Sequence, residues 1–303
     1  MGTGGGLTTT TFDPLWMARR VGELGTEVSP EVLAASQDLY APFHEREPYP
    51  DVRLTRDLAY GAHPRHRLDV FEPVDAAPGS RAVVLFAHGG GFVGGDKHRP
   101  GTPYNDNVAL WAVRHGFVGV TMTYRLAPEC PWPAGAEDVA AAVAWLRENI
   151  GAYGGDRERI QLLGTSAGAV HVASYLTHTA FQPAGGVGVA GAGLLSGAYH
   201  LPSFDPELLR AYFGDDPSRY AERSSLPWLV DAAVPVLFVV AEFDPPKSQR
   251  QALAVLQAHS ERHGHWPPFL LLPGHNHFTV TAHLNTPDDT LGNWLLRHFG
   301  AGS

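Results

Sequence analysis

Short apolar runs alternate with amphipathic stretches from residue 67 to residue 299, and this alternation constrains the fold more than any other feature. Ala82–Ala87 (AVVLFA) and Val234–Val240 (VPVLFVV) are the continuous apolar runs of strands buried on both faces. Arg67–Phe71 alternates as a strand, and Phe117–Thr123, Ile160–Leu163, Val187–Leu195 and Phe269–Leu272 supply others. Between them, residues 104–115, 134–150, 167–179, 248–263 and 286–299 read as helices. In the clearest helix, Val139, Val143, Leu146 and Ile150 share a face, and Gly151 lies just beyond its end. Strands and helices in alternation predict an α/β fold, with a mostly parallel sheet and helices on both faces. In such sheets the functional groups gather at the carboxyl ends of strands.

Composition narrows the class. The 303 residues carry a formal net charge of -9, which argues against an extended nucleic-acid-binding surface. Cys130 is the only cysteine, so no intrachain disulfide can form, which suits a reducing compartment. No apolar run reaches the roughly 18–20 residues of a membrane span. Met1–Thr11 lacks the basic and apolar regions of a signal peptide and reads as a flexible leader, making a cytoplasmic location the default expectation. Residues 1–53 hold short helical patches interrupted by Pro30, Pro42, Pro48 and Pro50, and read as an arm. Residues 54–303 read as one domain with an irregular insertion at about 198–230. Phe12, Trp16, Tyr40, Phe43 and Tyr49 of the arm, with Tyr199, Phe204, Tyr212, Phe213 and Trp228 of the insertion, could wall a capped, mostly apolar pocket.

Chemistry sits at four strand ends. Gly164-Thr165-Ser166-Ala167-Gly168 follows one strand and opens a helix, the context a G-x-S-x-G elbow requires to present Ser166. The N–H of Ala167 lies at a helix N-terminus, where negative charge is favoured. His88-Gly89-Gly90-Gly91-Phe92 follows the strand 82–87, and its N–H groups can stabilise an oxyanion. A serine hydroxyl needs a base and the base an orienting carboxylate, in the chain order Ser, acid, His. Asp244 lies just past the strand 234–240, with Glu242 as second choice. After Phe269–Leu272 come both His275 and His277, and either can serve as the base. Zinc bound by His275 with His277, or by His263 with His265, lacks the accompanying ligands, so no metal is expected.

These motifs together resemble the esterase branch of the α/β-hydrolase superfamily related to hormone-sensitive lipase and to kynurenine formamidase, over roughly residues 65–300. The segment Tyr124-Arg125-Leu126-Ala127-Pro128-Glu129, with Pro133 and Glu137-Asp138, is similar to that branch's YRLAPE…P…ED stretch, and Gly154-Gly155-Asp156 to its turn before the nucleophile strand. The resemblance implies Ser166 as nucleophile, Asp244 as acid and a histidine of 275–277 as base, with Gly90, Gly91 and Ala167 donating to the oxyanion. The pair His277-Phe278 is closer to the kynurenine-formamidase-like esterases, which selects His277 and leaves His275 as alternative. Thr123 and Thr165 stand where the hormone-sensitive-lipase group often has Asp. The implied reaction is hydrolysis of small to medium acyl or aromatic esters through an acyl-enzyme, without cofactor. An amidase or arylformamidase would use the same triad, and a non-catalytic receptor is the reading from another class. The implied partner is a small ester, with neither nucleic acid nor membrane; a homodimer is left open.

Overall fold

The computed structural model describes residues 11–75, 77 and 79–300, so the expected leader lies, but for Thr11, outside the described residues. Strands run Val52–Ala59 (β1), Arg67–Pro73 (β2), Arg81–Ala87 (β3), Val118–Met122 (β4), Gly155–Thr165 (β5), Gly191–Leu195 (β6), Val236–Phe243 (β7) and Phe269–Asn276 (β8). They form one sheet in the order β1-β2-β4-β3-β5-β6-β7-β8. β2 pairs antiparallel with both β1 and β4, and from β4 across to β8 every pairing is parallel. The mostly parallel sheet expected from the sequence is therefore present, with an antiparallel edge.

Helices run Pro14–Glu23 (α1), Pro30–Tyr40 (α2), Asp106–Arg114 (α3), Ala134–Asn149 (α4), Ala167–Thr177 (α5), Pro206–Phe213 (α6), Tyr220–Arg223 (α7), Leu226–Leu229 (α8), Pro246–His263 (α9), Thr279–Ala282 (α10) and Thr290–Phe299 (α11). Alternation along β3 explains the layering. Val83 and Leu85 join Val139, Val143 and Leu146 of α4 and Val172 of α5 on one face. Val84 and Phe86 join Val108 and Trp111 of α3 and Leu291 and Leu295 of α11 on the other. A strand buried on both faces must be apolar throughout, which is what the run AVVLFA supplies.

Several boundaries differ from those expected. β5 and β8 extend beyond their apolar cores, β6 begins only at Gly191, and β1 carries no apolar run to announce it. The arm is more regular than its prolines suggest. Pro14 and Pro30 occupy the first turns of α1 and α2, where the missing N–H costs nothing. Asp13 Oδ1 accepts from the N–H groups of Leu15 and Trp16 at 3.0 Å, and Ser29 Oγ from Val32 at 3.3 Å. Met17, Val21 and Tyr40 then bury a small cluster with Phe43 and Phe243, so the arm lies beside the carboxyl ends of β7 and β8.

The 198–230 segment takes the other side. Leu209, Tyr212 and Phe213 of α6, with Leu201 and Tyr220, pack onto Phe92, Ala127, Ala167 and Val170. Tyr49 belongs to neither layer over the strand ends: it packs on Phe71 and donates its hydroxyl to Asp106 at 2.9 Å. Tyr199 joins the main core, while Trp16 and Trp228 remain largely exposed.

Candidate active site

Ser166 sits at the junction of β5 and α5 with φ 52°, a conformation that non-glycine residues rarely adopt. The sharp turn needs small neighbours: a Cβ on Gly168 would collide with the carbonyl of Ala87. The structure sets His277 Nε2 at 3.0 Å from Ser166 Oγ, and His277 Nδ1 at 2.6 Å from Asp244 Oδ1. The three residues come from three strand ends, and Asp244 follows β7 directly.

Asp244 is fully buried, and its carboxylate has no shortage of donors. Oδ1 accepts from His277; Oδ2 accepts from Ser196 Oγ at 2.5 Å and from the N–H of Ala241 at 2.7 Å. Those bonds fix which oxygen faces the imidazole, and the carboxylate in turn holds Nδ1 protonated and Nε2 free as an acceptor. Glu242, the second-choice acid, is turned away and accepts from the N–H of Gly274 at 2.7 Å. His275 is turned away as well. Its Nδ1 lies 3.2 Å from Thr279 Oγ1 and its Nε2 3.3 Å from Asp288, so it has no contact with Ser166.

The glycine loop passes beside the serine: a Cβ on Gly89 would stand 3.3 Å from Ser166 Cβ. Gly90 takes φ 141°, where a side chain would collide with the backbone of Gly94, whose N–H donates to Gly90 O at 3.0 Å. Among the described residues, the N–H groups of Gly90, Gly91 and Ala167 donate no backbone hydrogen bond. Beneath the loop, Tyr124 donates its hydroxyl to His88 O at 2.7 Å and stacks on the His88 ring at 4.4 Å. His88 Nδ1 lies 2.6 Å from Gly89 O, and burial holds its pKa down at about 4. The acidic residues of the YRLAPE…P…ED stretch hold Arg125, the neighbour of Tyr124. Asp138 accepts from Arg125 N at 2.6 Å, from Arg125 Nε at 2.7 Å and from His66 Nε2 at 2.9 Å.

Sequence reasoning missed Ser196. It lies just past the carboxyl end of β6, the position where such sheets carry functional side chains, but no motif surrounds it. Its φ of 52° is a second departure from ordinary backbone beside the site.

An eight-stranded, mostly parallel sheet with a serine on a strained strand-to-helix turn, an acid after β7 and a histidine after β8 defines a class. The chain has the α/β-hydrolase fold. Residues 68–183 match the BD-FAE family. Esterase LipQ of Mycobacterium tuberculosis is 32% identical over 222 residues, 66% of this chain and 52% of LipQ. Carboxylesterase NlhH of the same species is 45% identical over 87 residues, 28% of this chain and 26% of NlhH. The chain thus spans about half the length of one of these curated relatives and about a quarter of the other. Among solved structures, esterase B from Lactobacillus rhamnosis superposes with a TM-score of 0.71 at 21% identity, covering 95% of this chain and 96% of that one. No helix among the described residues is long and apolar enough to cross a membrane.

Proposed function

We propose that the chain is a carboxylesterase-type serine hydrolase that cleaves small to medium acyl or aromatic esters through an acyl-enzyme. The hydrogen-bonded series Ser166–His277–Asp244 carries this reading. His277 Nε2 takes the proton of Ser166 Oγ as the oxygen attacks the ester carbonyl. The carbonyl oxygen becomes an oxyanion held by the N–H groups of Gly90, Gly91 and Ala167, each worth about 3 kcal/mol in the transition state. His277 gives the proton to the departing alcohol, then takes one from water as the water oxygen attacks the acyl carbon, and returns it to Ser166 Oγ as the bond to the serine breaks and the acid is released. Asp244 holds the imidazole in the required tautomer and balances its transient positive charge.

Two sides of the site support a limited acyl pocket. Phe92, Tyr212 and Phe213 stack over the nucleophile end, and the arm's Met17 and Tyr40 cluster with Phe243 beside Asp244. We take both segments as the cap, residues 1–53 and about 198–230, on a hydrolase domain of residues 54–303. The names of the sequence relatives, an esterase and a carboxylesterase, favour an ester as substrate.

The test is turnover of p-nitrophenyl esters of increasing acyl length, with an N-formyl arylamide beside them. kcat/KM should be highest for the short and medium acyl groups, with a far lower rate on the amide. A Ser166→Ala variant that keeps near-normal ester turnover would sink the proposal.

A further inference from the structure

We infer that His275, His283 and Asp288 form a binding site for a divalent cation of the zinc type, separate from the hydrolytic residues. The three ligand atoms lie within 4.8 Å of one another. His275 belongs to β8, His283 follows α10, and Asp288 precedes α11, so three consecutive elements meet there.

The hydrogen bonds around the trio leave a buried lone pair on His283 beside His275 and Asp288. His283 Nδ1 lies 2.6 Å from Thr279 O, so that nitrogen carries the proton and donates it. His283 Nε2 keeps its lone pair, is fully buried and has no hydrogen-bond partner. His275 Nδ1 lies 3.2 Å from Thr279 Oγ1 and its Nε2 3.3 Å from Asp288 Oδ2, so with the proton on Nδ1 the Nε2 lone pair is available to a metal. Asp288 Oδ1 accepts from the hydroxyl of Thr290 at 2.9 Å, while Oδ2 faces His275 and also accepts from Tyr40 at 3.2 Å. A zinc ion with bonds of about 2.0–2.1 Å in tetrahedral geometry separates its ligand atoms by about 3.3 Å. That matches the 3.3 Å between His275 Nε2 and Asp288 Oδ2. Two imidazoles and one carboxylate suit zinc better than calcium or magnesium, and three protein ligands leave a fourth position for water. The Nδ1–H bonds to Thr279 are the outer contacts that orient metal-binding histidines.

Sequence spacing pairs His275 with His277 and predicts no metal, whereas the fold brings His275 to His283 instead. A second cluster, Glu47, His98 and Asp106, is a weaker case, because Arg56 already supplies a cation to Asp106 at 2.7 Å. The bound ion would fasten the strand end that leads to His277 against the helix that follows it. Tyr40 of α2 donates to Asp288 at 3.2 Å, so the arm would be tied in as well.

Zinc titration of the chelator-stripped full chain, read by competition with a chromophoric chelator, tests the site. Cobalt spectra and thermal unfolding accompany it. One zinc per chain, a four-coordinate cobalt spectrum and a raised Tm are expected, with affinity falling about tenfold or more in Asp288→Asn. The half-buried His259 of α9 and the exposed His263 and His265 at its end and in the turn after it form the other histidine cluster to separate from it. His263→Ala should bind zinc as the native chain does. Three outcomes would overturn the proposal: no stoichiometric binding by the native chain, binding that survives in folded Asp288→Asn, or binding lost in His263→Ala. Should Asp288→Asn fail to fold, the native stoichiometry and the cobalt spectrum still decide.

Discussion

Ser196 donates its hydroxyl to Asp244 at 2.5 Å, on the carboxylate oxygen opposite the one that meets His277. Both groups are buried, and Asp244 is fully so. A hydrogen bond to a buried charge contributes about 1.5–3 kcal/mol. Ser196→Ala should therefore lower kcat by roughly 10- to 100-fold while KM changes little, because the bond orients the acid without bordering the substrate. Steady-state kinetics on a p-nitrophenyl ester decide this, and a change confined to KM would contradict it.

The two histidines of the β8 end should separate by the parameter they affect. His277→Ala removes the proposed base, and kcat should fall by at least about a thousandfold. His275→Asn should lower Tm, with kcat of the folded fraction falling less than about tenfold. A larger kcat loss for His275→Asn than for His277→Ala would reverse the assignment.

Tyr124→Phe keeps the ring that stacks on His88 but removes the bond to the His88 carbonyl. A buried acceptor left without its donor costs about 1–3 kcal/mol. The loop that would present Gly90 and Gly91 loses an anchor, so both Tm and kcat should drop. Unchanged kcat with lowered Tm would mean the bond serves the fold alone.

Acid should destabilise the fold through His88 and His171. Both are buried and neutral, with burial holding their pKa values at about 4 and about 3. In the unfolded chain each returns to about 6.5 and takes up its proton first. Their stability contribution is complete above about pH 6.5 and is lost as the pH falls toward about 4 for His88 and about 3 for His171, with a slope approaching about 1.4 kcal/mol per unit for each histidine. Urea midpoints measured across this range should fall with pH, and less steeply in His171→Phe. Equal slopes for the two proteins would show that His171 is not the source.

The site is more legible in the sequence than the surfaces around it, for local reasons. Asp244 lies just past a continuous apolar run and Ser166 just past the short strand Ile160–Leu163, so their positions at strand ends come from the pattern that defines the strands. His275 and His277 are inseparable by pattern alone, because β8 continues through Pro273 and Gly274, which read as its end. Only the third dimension shows that His275 meets Asp288 while His277 meets Asp244. Pro30 reads as an interruption because proline is excluded from helix interiors, yet with Ser29 as cap it starts α2. Ser196 and the trio of His275, His283 and Asp288 have no signature, since their spacings follow neither helix nor strand and depend on how the elements stack.

Activation of Ser166 as the nucleophile is the claim on which the proposed chemistry turns. Labelling with a fluorophosphonate, followed by peptide mapping, tests it most directly. One modified residue is expected, Ser166, with labelling abolished in Ser166→Ala and strongly slowed in His277→Ala. A label on another serine, or undiminished labelling of Ser166→Ala, would contradict it.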